Sequence, residues 1–284
     1  MSQTQHFLHE LVGSMSQGAD GNPTVAMIEA AFRHHGLHWR YINLEVTPED
    51  LGTAVKGAKA MGFRGFNCSL PHKVSVIAHL DGLGESAAVM GAVNCVVRRE
   101  GRLIGENTDG KGFLKSLEAL VDPRGKSVVL YGAGGAARAI AVELGLAGVR
   151  RLRIVNRSEA RGAELVGLLR DRLKVDAERV VWRGDDRVPE DTDIVINGTS
   201  IGLYDPAARL PIDLASLRPG MVAADVVFNP VQTRFLAEAA SRGCRPLDGL
   251  GMLVNQGIVG VRYWTGIDPD AGVMRQALES AMGV

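Results

Sequence analysis

Cysteine is scarce in this chain: Cys68, Cys95 and Cys244 are the only three in 284 residues. Three thiols, odd in number and far apart, make a disulfide framework improbable and show no metal-ligand spacing. A reducing, cytoplasmic setting is therefore expected, and a metal site is not. An excess of charge of either sign is also missing, because 32 lysines and arginines balance 32 aspartates and glutamates. No global field draws the protein to nucleic acid or to an anionic membrane, although a local basic pocket for a small anion stays open. Apolar runs long enough to cross a bilayer are lacking, each being interrupted by charge or glycine. Met1 to Glu10 show no basic segment leading into an apolar core, so no secretory signal is expected. Repeats and low-complexity segments are absent. His34, His35 and His38 crowd a helix end at Gly36 without sharing one ligand face. A globular protein acting on a small molecule, as a monomer or homodimer, is what remains.

Strand-like and helix-like stretches alternate along the chain, the rhythm of an α/β protein. Trp39 to Val46 is rich in β-formers and reads as a strand. Thr47 then serves as N-cap, with Pro48 at the first helical position and acids behind it. Phe63 to Ser69 is a further strand ended by Pro71, and Ala92 to Arg98 with Arg102 to Glu106 form a hairpin turning at Glu100-Gly101. A helical pattern from Asp109 to about Val121 leads into the break at Asp122-Pro123-Arg124-Gly125. Beyond it come a strand at Lys126–Tyr131, a helix at Gly135–Ala147, a strand at Arg151–Val155 and a helix at Ser158–Leu173. Strands at Asp193–Asn197 and Met221–Val227 complete a doubly wound parallel sheet. Gly249 to Met282 reads as helical throughout.

A short buried-strand run, Ser127 to Tyr131, passes directly into Gly132-Ala133-Gly134-Gly135-Ala136-Ala137. Gly132 permits the tight turn, Gly134 lets backbone approach a pyrophosphate, and Ala137 lets helix and strand pack closely. A helix starting near Gly135 points its free N–H groups at the phosphates. A turn of this kind, set between strand and helix, predicts a nicotinamide dinucleotide. The end of the next strand lacks the acidic residue that would accept the ribose hydroxyls of NAD. It carries Asn156-Arg157-Ser158 instead, with Arg161 one turn on. An amide, a hydroxyl and two guanidinium forks suit a 2′-phosphate, so NADP is expected, with NAD possible.

Three polar clusters sit at strand ends in the first half: Asn67-Cys68-Ser69-Leu70-Pro71-His72-Lys73, Gly91-Ala92-Val93-Asn94 and Asn107-Thr108-Asp109-Gly110. Each alone is ordinary loop chemistry. Together with Asn156 to Ser158, Asn197-Gly198-Thr199-Ser200 and Asp248 to Gln256, in this order and spacing, they resemble the shikimate dehydrogenase family over nearly the whole chain. The resemblance implies an N-terminal α/β substrate domain plus a Rossmann-type NADP-binding domain, with the active site in the cleft. Residues 1–115, completed by helices at about 250–284, would form the first, and 116–249 the second. It implies Lys73 and Asp109 as the catalytic pair, and Ser69, Asn94 and Gln256 as partners of the substrate's ring hydroxyls. Gly132, Gly134, Gly135, Ala136, Asn156, Arg157, Ser158 and Arg161 match its cofactor elements. Thr199, Val226 and Gly249 match positions near the cofactor, and Glu85 matches a position sometimes assigned there.

The chemistry is coherent from below. Oxidising a secondary alcohol needs hydride departure to the nicotinamide and removal of the hydroxyl proton. A lysine at its ordinary pKa of about 10.4 is a poor base, and a neighbouring carboxylate favours the ammonium. Lys73 therefore reads as a proton relay and hydroxyl orienter.

The sequence departs from the family where substrate specificity is set. A serine pair usually binds the substrate carboxylate, and Asn22-Pro23-Thr24 stands in its place. Thr24 keeps a hydroxyl, and Asn22 offers an amide that can donate. Phe228 replaces a tyrosine whose hydroxyl faces the substrate, and Cys95 replaces a threonine. Losing such groups can redirect specificity. The leading expectation is an NADP-dependent dehydrogenase acting on shikimate or a related quinate- or aminoshikimate-like acid. The alternatives are a non-catalytic NADP(H) sensor or regulator on the same fold, and a tetrahydrofolate-type dehydrogenase, against which Asn107 to Gly110 argues.

Overall fold

The computed structural model describes residues 7–283; most of Met1 to Glu10, where a signal pattern was sought, lies outside them. They fall into two compact units, one reaching Thr108 and resumed at Gly257–Gly283, the other Asp109–Gln256. The divisions thus come at Thr108/Asp109 and Gln256/Gly257, against 115/116 and 249/250 read from the sequence.

In the first unit, β1 (Glu10–Ser16), α1 (Thr24–His34), β2 (Trp39–Glu45), α2 (Leu51–Ala60) and β3 (Gly65–Cys68) come first. Short helices α3 (His72–Ser75) and α4 (Glu85–Met90) flank the two-residue strand β4 (Gly82–Leu83), and the hairpin β5 (Cys95–Arg99)–β6 (Arg102–Glu106) follows. The sheet runs β2-β1-β3-β5-β6-β4, with β1 parallel to both β2 and β3. Apolar spacing explains the packing: α2 buries Leu51, Val55 and Ala58 on one stripe against Met15, Phe66 and Val96. The hairpin turns at Glu100 and Gly101, both with positive φ, as a tight two-residue turn demands.

Two expectations need correction here. The helix after β2 begins at Leu51 instead of Pro48; Thr47 Oγ1 still accepts the Asp50 N–H at 3.3 Å, but residues 48–50 form a turn ahead of the helix. And β1, which the sequence reading did not identify, lies between β2 and β3. Its buried Ser14 and Ser16 break the apolar alternation that marks a strand.

The second unit opens with α5 (Asp109–Glu118), then β7 (Ser127–Tyr131), α6 (Gly135–Leu146), β8 (Arg151–Asn156), α7 (Glu159–Leu173) and β9 (Asp176–Val181). It continues through β10 (Ile194–Asn197), β11 (Val222–Asp225), α8 (Arg234–Ser241) and β12 (Arg245–Leu247). All strands are parallel in the order β12-β11-β10-β7-β8-β9, the doubly wound Rossmann arrangement in which strand order reverses between β7 and β10. One face packs Phe113, Leu117, Ile140 and Leu165 against Leu130, Ile154 and Ile196; the other packs Phe235 and Trp182 against Val129 and Val195. Helix α5 belongs here because Gly110 lets it approach α6 so closely that a Cβ would lie 2.3 Å from the Ala139 oxygen. The edge strands β9 and β12 were not expected: one mixes charge into its run and the other is three residues long with Pro246 in it.

The C-terminal stretch, read as helical, consists of two helices, α9 (Gly249–Thr265) and α10 (Ala271–Met282). Gly266, at φ 76°, ends the first, and Asp270 caps the second by accepting the Val273 N–H at 2.9 Å. Within the first unit α10 packs along α1, and Trp264 donates its indole N–H to the Val96 oxygen at 3.0 Å.

Candidate active site

In the second unit, the strand reversal between β7 and β10 is where a dinucleotide is bound in sheets of this order. Gly132 is buried there with φ 113°, and a Cβ on it would sit 2.8 Å from the Gly198 oxygen. No other residue type fits without strain. Gly134 and Gly135 are exposed, with open space around them, and Gly134 begins α6 with no side-chain cap. The first N–H groups of α6, from Gly135 and Ala136 onward, are thus left for a phosphate. At the end of β8, Asn156 donates to the Ser158 oxygen at 2.8 Å and Ser158 caps α7. Arg157 and Arg161 are exposed, and among the described residues neither pairs with a carboxylate, unlike Arg138 with Glu164 or Arg179 with Glu159. Two unpaired guanidinium groups beside a helix N-terminus fit a 2′-phosphate, so the residues present suit NADP.

A buried network shapes the loops beside this turn. Asn197 ends β10 and its side-chain oxygen accepts both Thr199 N–H (3.1 Å) and Thr199 Oγ1–H (2.7 Å). Its amide donates to the Ile201 oxygen and to Asp225 Oδ1, each at 3.0 Å. Asp225, at the end of β11 and 1% exposed, also accepts the Val227 N–H at 2.9 Å and the Thr233 hydroxyl at 2.8 Å. Burial raises its carboxyl to about 6, with these donors pulling the other way. Asp225 therefore fixes both the Thr199 loop and the Val226–Phe228 turn. Gly249, buried at the start of α9, is pressed against Val226 and Val227, and Phe228 meets the exposed Tyr204 edge-on at 6.5 Å. Sequence reading singled out Thr199, Val226 and Phe228 but not Asp225, whose carboxylate sits inside an apolar strand with nothing local to flag it.

The first unit gathers its polar clusters at one edge, the C-terminal ends of β1, β2 and β3 with the adjoining ends of β5 and β6. The Val93 N–H donates to the Lys73 oxygen at 2.7 Å, tying the second cluster to the first. Asn67 donates to the Asn94 oxygen at 3.0 Å and accepts the Tyr41 hydroxyl at 2.9 Å. Asn94, buried, takes the Thr108 N–H on its side-chain oxygen at 2.6 Å, and Asn107 donates to the Ala92 oxygen at 3.3 Å. All three motifs are thus knit together as far as Thr108. Lys73 is half-buried at the start of α3, which His72 anchors through its Nε2 contact of 2.8 Å with the Val46 oxygen. Burial pushes the neighbouring Cys68 thiol up to about 12 while the Lys73 charge pulls it down. Ser69 is exposed beside Cys68, and Thr24 is the first residue of α1, with Asn22 just ahead of it. Asn43 and Glu45, which sequence reading missed, share this edge: Ser14 pairs with Asn43 and Ser16 with Glu45 in the β1–β2 register.

Asp109 heads α5 and Gln256 lies buried on α9, both in the second unit, whereas Glu85 heads α4 in the first. A cavity of about 430 Å³ lined by Lys126, Asp191, Arg218 and Arg245 opens at the opposite, N-terminal edge of the Rossmann sheet, away from the glycine turn. Among the described residues no group of three His, Cys, Asp or Glu is placed to hold a metal, and no helix is long and apolar enough to cross a membrane. The three cysteines are buried, and none is joined in a disulfide.

Comparison with known proteins places this geometry. The family model described as the shikimate dehydrogenase substrate binding domain matches residues 23–96, and that of the shikimate 5′-dehydrogenase C-terminal domain matches 249–279. A shikimate dehydrogenase (NADP(+)) of Moorella thermoacetica is 43% identical over 261 residues, covering 90% of this chain and 88% of the relative. The ligand-free 5-ketofructose reductase of Gluconobacter sp. strain CHM43 superposes with a TM-score of 0.95 at 55% identity, covering 97% of this chain and 99% of that one. Shikimate 5-dehydrogenase from Thermus thermophilus, in complex with NADP(H) and shikimate, gives 0.81 at 34%, covering 96% and 99%.

Proposed function

The chain belongs to the shikimate dehydrogenase family, and we propose that it catalyses reversible hydride transfer between NADP(H) and a secondary alcohol of a small polyhydroxylated substrate. The observation that carries this reading is the pairing of an open glycine turn at the strand reversal with two unpaired arginines at the end of β8. Bound there, NADP(H) supplies or accepts the hydride. The protein's own groups do the rest. The N–H groups at the head of α6 hold the pyrophosphate, and Arg157 and Arg161 hold the 2′-phosphate. Asn197, held by Asp225, shapes the loop carrying Thr199. Lys73 orients the reacting hydroxyl and relays its proton, and Asp109 takes part in the same transfer. Ser69, Asn94 and Gln256 hold substrate hydroxyls, and Asn22, Thr24 and Phe228 bound its far end. Three reduced, buried thiols suit work in the cytoplasm, as a monomer or homodimer.

The catalytic reading stands above a sensor role, because named relatives over most of the chain's length are enzymes. Their names bracket the substrate between a ring acid, shikimate, and a neutral keto-sugar. Purified protein given NADP(H) and both kinds of substrate should change absorbance at the reduced-nicotinamide band with at least one. Folded protein that binds NADPH but turns over none of them would sink the proposal.

A further inference from the structure

Resting on that oxidoreductase reading, we infer that the far end of the substrate site takes a neutral, hydroxyl-bearing ketone of the ketose class and turns away a carboxylate, with Glu45 and Asn22 setting the preference.

Most backbone donors of the loop between β1 and α1 are already committed. Both oxygens of Glu45 accept backbone N–H groups, from Gly18 at 3.0 Å and Ala19 at 2.7 Å. Gly18 has left-handed backbone, and successive N–H groups turned to one side in this way make a concavity suited to an anion. The protein's own carboxylate fills it. The Ala19 and Gly18 N–H groups hold Glu45 below the usual carboxylate range, so it stays charged at neutral pH. Further along, the Gly21 N–H is taken by Asp20 at 3.0 Å, the Asn22 N–H by the Ala19 oxygen at 3.3 Å, and the Thr24 N–H by Asn22 Oδ1 at 3.1 Å. Pro23 has no N–H to offer.

An incoming carboxylate would therefore meet the charged Glu45, and residues 17–24 supply no lysine or arginine to offset it. A hydroxyl meets a better surface. Asn43 donates to the Asn22 oxygen at 3.0 Å, and the two side-chain amides approach at 3.5 Å. Amides donate and accept, as vicinal hydroxyls require. The relative at 55% identity, by its name a reductase of 5-ketofructose, points independently to a neutral ketose.

The test compares two reductions by the full chain with NADPH: 5-ketofructose, and the ketone made by oxidising the ring hydroxyl of shikimate. The inference expects kcat/KM to favour 5-ketofructose by about 100-fold or more, since like charges placed together at a binding surface reject the wrong partner strongly. In Glu45→Gln, alone and with Asn22→Ser, the ratio should narrow by ~10-fold or more through a lower KM for the carboxylated ketone. A preference for the carboxylated ketone in the unaltered protein overturns this inference and leaves the oxidoreductase reading standing. No turnover of either ketone, by protein that still binds NADPH, overturns both.

Discussion

The two units build their binding edges from different parts of the polypeptide. The cofactor edge is made largely of backbone: a glycine with φ 113°, two exposed glycines and uncapped N–H groups at the head of α6. The substrate edge is made of side chains, with Asn22, Asn43, Asn67, Asn94 and Asn107 linking loops from different strands. A dinucleotide's pyrophosphate is the same in every enzyme that uses it, so backbone geometry recognises it once and keeps it. Hydroxyls on a substrate differ from one to the next, and exchanging an amide for a hydroxyl moves specificity without moving a strand. The resemblance read from the sequence accordingly implies an intact cofactor pattern, with the departures, Asn22-Pro23-Thr24 and Phe228, at substrate positions.

Four variants test that division, from the largest effect to the smallest. Lys73→Ala should lower kcat by about 10²- to 10⁴-fold, the range for a positioned proton-transfer group, with NADPH binding unchanged by fluorescence titration. Equal loss of NADPH affinity would erase the distinction between the edges. Gly132→Ala should destabilise the second unit by about 1–3 kcal/mol and weaken NADPH binding, because the new Cβ meets the Gly198 oxygen at a backbone angle that alanine resists. Thermal melts with and without NADPH would show both. Arg157→Ala combined with Arg161→Ala should raise KM for NADP by ~10- to 100-fold and leave NAD little altered, since only NADP carries the phosphate they pair with.

The smallest effect is a pH dependence. Asp225 has a carboxyl raised to about 6 in the fold, above its ordinary value of 3.8. A raised group favours the protonated folded state, so its contribution is present below about pH 4 and lost as pH rises through 6. The shift corresponds to at most about 3 kcal/mol. Asp225→Asn should flatten stability over that window in denaturant titrations, and its KM for NADP should rise modestly through the loosened Thr199 loop. An unchanged pH profile would show that Asp225 does not carry the dependence.

The same division governs how much could be read from the sequence. The glycine turn, its flanking strand and helix, and the Asn156–Arg161 element were legible because backbone conformation writes itself into glycine spacing and strand period. Strands β9 and β12 were not, since edge strands need no apolar run, and β1 was hidden by the serines it buries. At the substrate edge, Lys73, Ser69 and Asn94 were legible only through a family resemblance. Asn43 and Glu45 were invisible because a lone polar residue at a strand end looks the same whether it faces water or holds a neighbouring loop. Asp225 shows the limit most plainly: its partners lie on β10 and at the start of α8, brought together by the fold alone.

Hydride transfer itself is open to direct observation. The protein would be incubated with NADPH bearing deuterium at the transferable C4 position and, separately, with 5-ketofructose and with the ketone of shikimate, and the products examined by NMR. One deuterium on the newly formed carbinol carbon of at least one product is the predicted result. Product alcohol without that label, or no product from protein saturated with NADPH, would contradict it.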